Sequence, residues 1–269
     1  MVVDPQKTES ALYSVPPVER ALSLLRHIGD GHRCRNLNRT SAELGINRTT
    51  LIRLIHTLVA NRMIEEIDEG AGYRLGPGLI SLAAQAIHGR DIVQVCQPLL
   101  AELAHKTGMS AHLGILDGTD LVYLSRETPN THLISNMRPG SRLPAYTSSA
   151  GRAILAEMTD DAIRALFSGV DLERVTAKTP QSVEAILAQA RQDRQAGFAW
   201  SEGGFEAGIG ACGAVVLDHR ARPVGAINVA GPENRFVEEG NDRPGPIRDA
   251  VRSVARQASM GLGYVVGVQ

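Results

Sequence analysis

The sequence predicts a two-domain α/β chain, with a small helical domain closed by a β-hairpin first and a strand-rich α/β domain second. Three observations predict it. From Val18 to Leu58 apolar residues recur at helical spacing in three short runs, the period that lines up residues three and four apart on one face. From Met63 to Leu75 the pattern shortens and turns on Gly70 and Gly72, as a hairpin does. From Gly108 onward short apolar runs alternate with turn signals such as Asp117-Gly118 and with helical stretches. A length of 269 residues fits two modest domains. The expected boundaries are a disordered polar lead-in over 1–14, a first domain over 15–77, a linker helix over 78–90 and a second domain over 91–269.

The elements follow in order. Pro16 and Pro17 open a helix with Val18, Leu22, Leu25 and Ile28 as its apolar stripe, ended by Gly29 and Gly31. "LNRTSAELG" gives a two-turn helix closed by Gly45, with Ala42 and Leu44 as its apolar contacts. Asn47 is a good N-cap for the third helix, whose stripe of Leu51, Leu54, Ile55 and Leu58 is the clearest in the chain. "MIEEIDEGAGYRLG" is the hairpin. Helical patterns then run from Leu79 to Ala86 and from Val93 to Lys106, interrupted at Gly89. In the second half "AHLGIL", "LVYLSRE", "HLISNM", "GACGAVVLD" and "PVGAINVAG" read as strands. "TSSAGRAILAEM", "SVEAILAQARQDRQAG" and a terminal stretch from Ile247 to Met260 read as helices.

Composition excludes several function classes. The net charge is −1, so polyanions are not bound by bulk charge and any nucleic-acid contact must be local. Cys34, Cys96 and Cys212 are odd in number and widely spaced, without a CxxC or a histidine at a zinc-like interval, so neither a metal site nor a disulfide framework is expected. No apolar run reaches the length of a membrane span, and the first residues lack a basic segment followed by an apolar one. The expectation is a cytoplasmic protein without cofactor.

Three short helices followed by a hairpin are the pattern of a winged helix-turn-helix, whose last helix enters the major groove of DNA. Arg48, Thr49, Ile52, Arg53 and His56 fall on the face of the third helix opposite its apolar stripe. Arg reaches guanine edges or phosphates, and Thr reaches phosphates or thymine methyls. Between Arg20 and Arg62 eight arginines stand against two acids, an excess of six positive charges on a nearly neutral chain. Taken singly, Arg53 fits a structural salt bridge as well as a DNA contact.

The chain resembles the IclR family of bacterial transcriptional regulators. The resemblance is carried by "VERALSLL", by "GINRTTLIRLIHTLVANRMIEE" with "YRLGPGLISLA", by "RLPAYTSSAGRAILA" and by "PVGAINVAGP". It covers the chain from about Val15 onward. It implies an N-terminal winged helix-turn-helix, a linker helix and a C-terminal GAF/PAS-like α/β effector-binding domain, assembled as a homodimer or homotetramer. Arg48, Thr49, Thr50 and Arg53 would then face operator DNA, and Leu79 to Ala86 would belong to the helix that pairs subunits.

The same resemblance places a small organic acid effector in the second domain. Ser149 and Ala150 would offer backbone N–H groups, in keeping with the affinity of helix N-termini for anions. Leu143 and the segment His132 to Met137, Ser135 included, would pack on the ligand. Ser201, Ala211, Cys212, Ile227, Asn228 and Ala230 would form the opposite walls. Ser201 and Ala211 stand where glyoxylate-binding relatives have Asp and Cys, and these smaller side chains imply a roomier pocket. The wording "RLPAYTSSAGRAILA" resembles most the branch that senses aromatic acids of the protocatechuate and hydroxybenzoate type.

Individual residues keep alternatives. Ser148 and Ser149 lack a GxSxG setting and an activating partner, so helix capping and ligand contact are expected of them and catalysis is not. Arg152 holds either a ligand carboxylate or an ion pair. Trp200 lines the pocket or packs. His112 and His132 are expected as core or surface histidines, with a hydrogen bond to a ligand carboxylate as the alternative. Cys212 is expected as a buried small side chain, with redox sensing as the alternative. The reading is therefore a ligand-responsive regulator of transcription with no catalytic and no metal-binding residues, against two alternatives: an enzyme using the second-domain pocket, and a redox-sensing regulator using Cys212.

Overall fold

The computed structural model describes residues 14–68, 70–88, 91–129, 137–237 and 245–265. The chain divides into two compact units, residues 1–87 and 88–269. The expected strand "HLISNM" and Ser135 lie outside the described residues, Met137 excepted.

In the first unit α1 (Pro16–Gly29), α2 (Leu37–Leu44) and α3 (Arg48–Ala60) precede a hairpin of β1 (Ile64–Glu66) and β2 (Tyr73–Leu75), and α4 (Pro77–His88) follows. Leu24, Ile28, Cys34, Ile46, Leu51, Ile55, Leu58 and Ile64 form one core. Local chemistry sets the helix ends. The Asn36 side chain accepts from the N–H groups of Asn38 and Arg39, Gly45 closes α2 at φ 62°, and the Asn47 side chain accepts from Thr50 N–H at 2.8 Å. The tight turn between α2 and α3 is thus held by the Asn47 cap and a left-handed glycine. The hairpin pairs Ile64 with Leu75 and Glu66 with Tyr73. Tyr73 N–H donates to Arg33 O and Arg35 Nε to Ala71 O, which ties the hairpin to the loop before α2.

Two apolar stripes differ from expectation. On α1 the inward residues are Leu24 and Ile28 with Leu25 beside them, whereas Val18 and Leu22 are 54% and 44% exposed. Val18 and Leu22 lie at one edge of a broad apolar stripe, so their spacing alone does not select the buried part of that face. On α2 Ala42 is exposed, and Leu37 and Leu44 pack on the core with Thr40 buried between them.

The second unit begins with α5 (Asp91–Thr107) and is built on a six-stranded antiparallel sheet ordered β5-β4-β3-β8-β7-β6. Its strands are β3 (Ser110–Asp117), β4 (Asp120–Glu127), β5 (Arg142–Pro144), β6 (Ala199–Glu202), β7 (Ile209–Leu217) and β8 (Pro223–Pro232). One face carries α5 and α10 (Pro246–Gly261). The other carries α6 (Ser149–Leu155), with α8 (Val183–Ala196) packed on it and α7 (Asp160–Leu166) behind. The short α9 (Glu233–Val237) follows β8. Because both faces are covered, the central strands are buried almost throughout.

Glycines on β7 record how closely the layers approach. A Cβ on Gly213 would lie 2.5 Å from Ser149 O and 2.9 Å from Ala150 N, so the start of α6 rests on bare backbone. A Cβ on Gly210 would collide with the Phe236 ring of α9. Odd positions of β7 therefore face α6 and even positions face the other layer.

Among the described residues no helix is long and apolar enough to cross a membrane.

Candidate functional site

On α3, Arg48, Thr49, Ile52, Arg53 and His56 are exposed while Leu51, Ile55 and Leu58 are buried, and Thr50 is half-buried beside the cap it donates to. Within the described residues neither Arg48 nor Arg53 makes an ion pair, whereas Arg39 and Arg74 pair with Glu43 and Glu65. Among the described residues the structural salt bridge considered for Arg53 is not formed. The helix thus presents two unneutralised guanidinium groups and a threonine beside a hairpin, the groups that contact phosphates and base edges.

The second unit encloses a cavity between the sheet and the loop entering α6, with about 50 Å³ of free space. Its floor is drawn from two rows of residues paired across the strands, of which His112, Asn228, Ala230, Ala211 and Ser201 line it. His112 on β3 pairs with Asn228 on β8, which pairs with Gly213 on β7, and one step along Ser110 pairs with Ala230, Ala230 with Ala211 and Ala211 with Ser201. Tyr123, Leu143, Thr147, Ser148 and Ser149 wall it, and Met137, Phe205, Glu206 and Ile209 close the top. Ser148 Oγ accepts from Gly151 N–H at 3.0 Å and so caps α6, while Ser149 Oγ accepts from Asn228 Nδ2 at 3.2 Å.

Of the residues expected at this site, Ser149, Leu143, Ser201, Ala211, Asn228 and Ala230 line the cavity. Cys212 and Ile227 occupy the alternate strand positions and face the α5 and α10 layer, as the partners of Gly210 and Gly225 show. Ala150 is buried beneath Gly213, one residue past the cavity wall. Trp200 also faces away, packing edge-on against Phe198 and Phe236 with its N–H on Glu202. Arg152 forms a two-pronged ion pair with Asp193 of α8 at 2.9 and 2.7 Å, so of its two readings the structure selects the ion pair. Met137 and Phe205 line the cavity together with the small Ser201 and Ala211.

Sequence reasoning passed over Tyr123 and Thr147 as parts of this site, and kept His112 only as an alternative carboxylate partner. His112 is fully buried, its ring 5.2 Å from that of Tyr123. Burial, reinforced by the nearby positive Arg126, holds its pKa down at about 4, and the Asn228 amide offsets this only in part. Burial likewise pushes the Tyr123 phenol up, beyond its ordinary range. The two rings are neutral at physiological pH. Among the described residues the only formal charge on the lining is Glu206, exposed at the rim. No group of acids, cysteines and histidines that could hold a metal occurs among the described residues. Nucleophile chemistry has no support either, since the Ser148 oxygen is engaged in a cap and Ser149 meets an amide.

An exposed, capped helix beside a hairpin, carried with a separate unit that encloses a cavity, defines the class of winged helix-turn-helix transcriptional regulators with an effector-binding domain. Residues 17–68 match the IclR helix-turn-helix domain and residues 84–260 the bacterial transcriptional regulator IclR C-terminal domain. The chain belongs to the IclR family of bacterial transcriptional regulators, which are DNA-binding proteins and not enzymes. It is 28% identical to the HTH-type transcriptional regulator XynR of Escherichia coli K12 across 93% of this chain and 98% of that one. It is 24% identical to the HTH-type transcriptional repressor AllR of the same strain across 91% and 90%. Among solved structures, a transcriptional regulator from Rhodococcus sp. RHA1 superposes with a TM-score of 0.79 at 26% identity, covering 93% of this chain and 98% of that one. An IclR homologue from Microbacterium hydrocarbonoxydans, complexed with 4-hydroxybenzoate, shares the fold with a TM-score of 0.76 at 19% identity, covering 91% and 98%.

Proposed function

We propose that this regulator binds operator DNA through Arg48, Thr49, Thr50 and Arg53 of α3 and that a small organic acid in the second-unit cavity changes its operator affinity. The observation that carries the first part is the pair of unneutralised arginines on a capped, exposed helix within a segment holding eight arginines and two acids. The acid is an aromatic carboxylate or close analogue. Supporting this class are the wording of the α6 segment and the accommodation of 4-hydroxybenzoate by a protein of the same fold. An aromatic ring occupies a cavity on the order of 150 Å³, more than the free space present, so Phe205 and Met137 swing aside to admit it. Phe205 lies in a loop bounded by Gly203 and Gly208, both at positive φ, and ligand binding selects the loop arrangement with that ring displaced. The carboxylate meets the hydroxyls of Ser148 and Ser201 and the first backbone N–H groups of α6.

The working form is a homodimer or homotetramer in the cytoplasm. Val15, Val18 and Leu22 of the first helix region and Ile80 and Leu82 of α4 are large apolar residues exposed in the single chain, with Ile80 71% exposed. A second copy covering them would bring two recognition helices to half-sites about 34–36 Å apart or a multiple of that.

The test is binding of the purified protein to the duplex upstream of its own gene at fixed salt, titrated with aliphatic and aromatic carboxylates. A shift in affinity by one acid supports the reading. Specific binding that no acid moves overturns the effector half, and absence of specific binding overturns the whole.

A further inference from the structure

We infer that Thr176, Thr179, Lys178 and Glu233 form a latch that holds the loop of residues 203–208 shut over the cavity, and that release of this latch sets the rate at which effector enters and leaves. The inference rests on the reading of the cavity as the effector site and adds what controls access to it.

The loop joins β6 to β7 and carries Phe205 and Glu206 into the lining. It turns on Gly203 and Gly208, at φ 70° and 83°, and residues 206–208 are exposed. The hydrogen bonds that fasten it to other segments lie at its two ends. At the first end the Gly204 carbonyl accepts from Thr176 Oγ1 at 3.1 Å and from Thr179 Oγ1 at 3.4 Å. At the second end Gly208 N–H donates to Glu233 Oε2 at 3.2 Å, and Glu233 N–H donates to Gly208 O at 2.8 Å. Lys178 ties the two ends together, since its ammonium donates to Glu202 O at 2.6 Å and pairs with Glu233 Oε1 at 3.4 Å.

The strap of residues 176–179 is built for this task. Thr176 N–H donates to Thr179 Oγ1 at 2.8 Å and Lys178 N–H to Thr176 Oγ1 at 3.2 Å, so the strap itself orients both hydroxyls. Each hydroxyl has one proton to give, and Gly204 O is within reach of both. Neither threonine lines the cavity, so they are positioning residues that act through the loop. Their hold bears on access because Phe205 follows Gly204 directly. Behind Gly204 the wall is close: a Cβ there would lie 2.5 Å from Ser201 Oγ and 3.5 Å from Thr147 O. With its carbonyl fastened in front and the wall behind, the backbone beside the Phe205 ring shifts only when the threonines let go. Neutral hydrogen bonds contribute modestly each, so a few of them hold a loop and still let it open.

The experiment reads opening directly, as amide hydrogen exchange of the full-length protein followed by mass spectrometry over residues 203–209. Thr176→Val combined with Thr179→Val removes both hydroxyls at nearly constant volume, and Glu233→Ala removes the fastening at the other end. Each change is expected to speed exchange of the loop on the order of tenfold while β3 and β8 stay protected. Thr176→Ser combined with Thr179→Ser keeps the hydroxyls and should exchange as the unchanged protein does. In stopped-flow mixing 4-hydroxybenzoate is the probe, read by Trp200, the one tryptophan of the chain, whose N–H meets Glu202 beside the loop. In the valine variant its entry and exit rates should rise together, so that affinity changes less than either rate. Faster exit with unchanged entry marks a lost contact and overturns the inference, as does loop exchange unchanged in both variants. Should the valine variant unfold, seen as fast exchange throughout the unit, Glu233→Ala decides by the same two readouts. Absence of probe binding counts against the aromatic-acid reading alone, and exchange of the loop still upholds or overturns the latch.

Discussion

Arg152 and Asp193 show at the residue scale how much a buried pair depends on both partners. Their side chains are 12% and 6% exposed and joined by two hydrogen bonds. Removing one partner leaves an uncompensated charge inside, so Arg152→Ala is expected to lower unfolding stability by about 3–5 kcal/mol, measured by urea denaturation. His112 makes a different contribution. The unfolded chain binds a proton on this ring below about pH 6.5, whereas the folded chain does so only near pH 4. Stability therefore falls as pH drops from 6.5 towards 4, by about 3 kcal/mol from this group, and His112→Phe should flatten that part of the pH–stability curve. Residue by residue, the lining of the cavity was legible where a motif fixed the register, as at Ser149, Ser201, Ala211 and Asn228. It was not legible at Cys212 and Ile227. An alternating pattern reveals which way a strand residue faces only when one face is polar, and β7 and β8 are buried on both. Cys212 is fully buried on the face away from the cavity, a position that shields its thiol from oxidants.

At the scale of elements, those marked by a cap, a turn or a long stripe were readable and several short ones without such marks were not. The recognition helix declared itself through Asn47, its stripe and its closing Asn61, and α8 through Ser182 and Gly197. By contrast β5, β6, α7 and α9, of three to seven residues each, complete too little of a period to stand out. The Asn47 cap leads to a direct expectation. Asn47→Ala removes the acceptor for Thr50 N–H and should cost about 1 kcal/mol, seen as a lower melting temperature of the full-length protein. The same change loosens the first turn, which carries Arg48 and Thr49, so operator affinity should fall by more than the loss of stability alone explains; a gel-shift titration beside the melt separates the two.

For the whole molecule, the arginine-rich first unit on a chain of net charge −1 means that attraction to DNA is a local property. Arg53→Ala is expected to weaken operator binding and to reduce the slope of log affinity against log salt by about one, read by fluorescence anisotropy at several salt concentrations. A base-specific role for Arg53 would show instead as relaxed preference at one operator position. The sequence pattern changes at Gly108, while the second domain is expected from residue 91 and the compact units divide after residue 87, upstream of that change. The reason is that α5 packs on the second sheet while its sequence is as helical as what precedes it. The narrow cavity, finally, bears on time as well as affinity. With about 50 Å³ free beneath Met137 and Phe205, a ligand larger than that waits for the loop to open, so its arrival is a gated event slower than diffusion. In stopped-flow mixing the observed rate should then level off as ligand concentration rises. A brief pulse of metabolite would pass unnoticed, and a molecule once enclosed would leave slowly, giving the switch a short memory of its last signal.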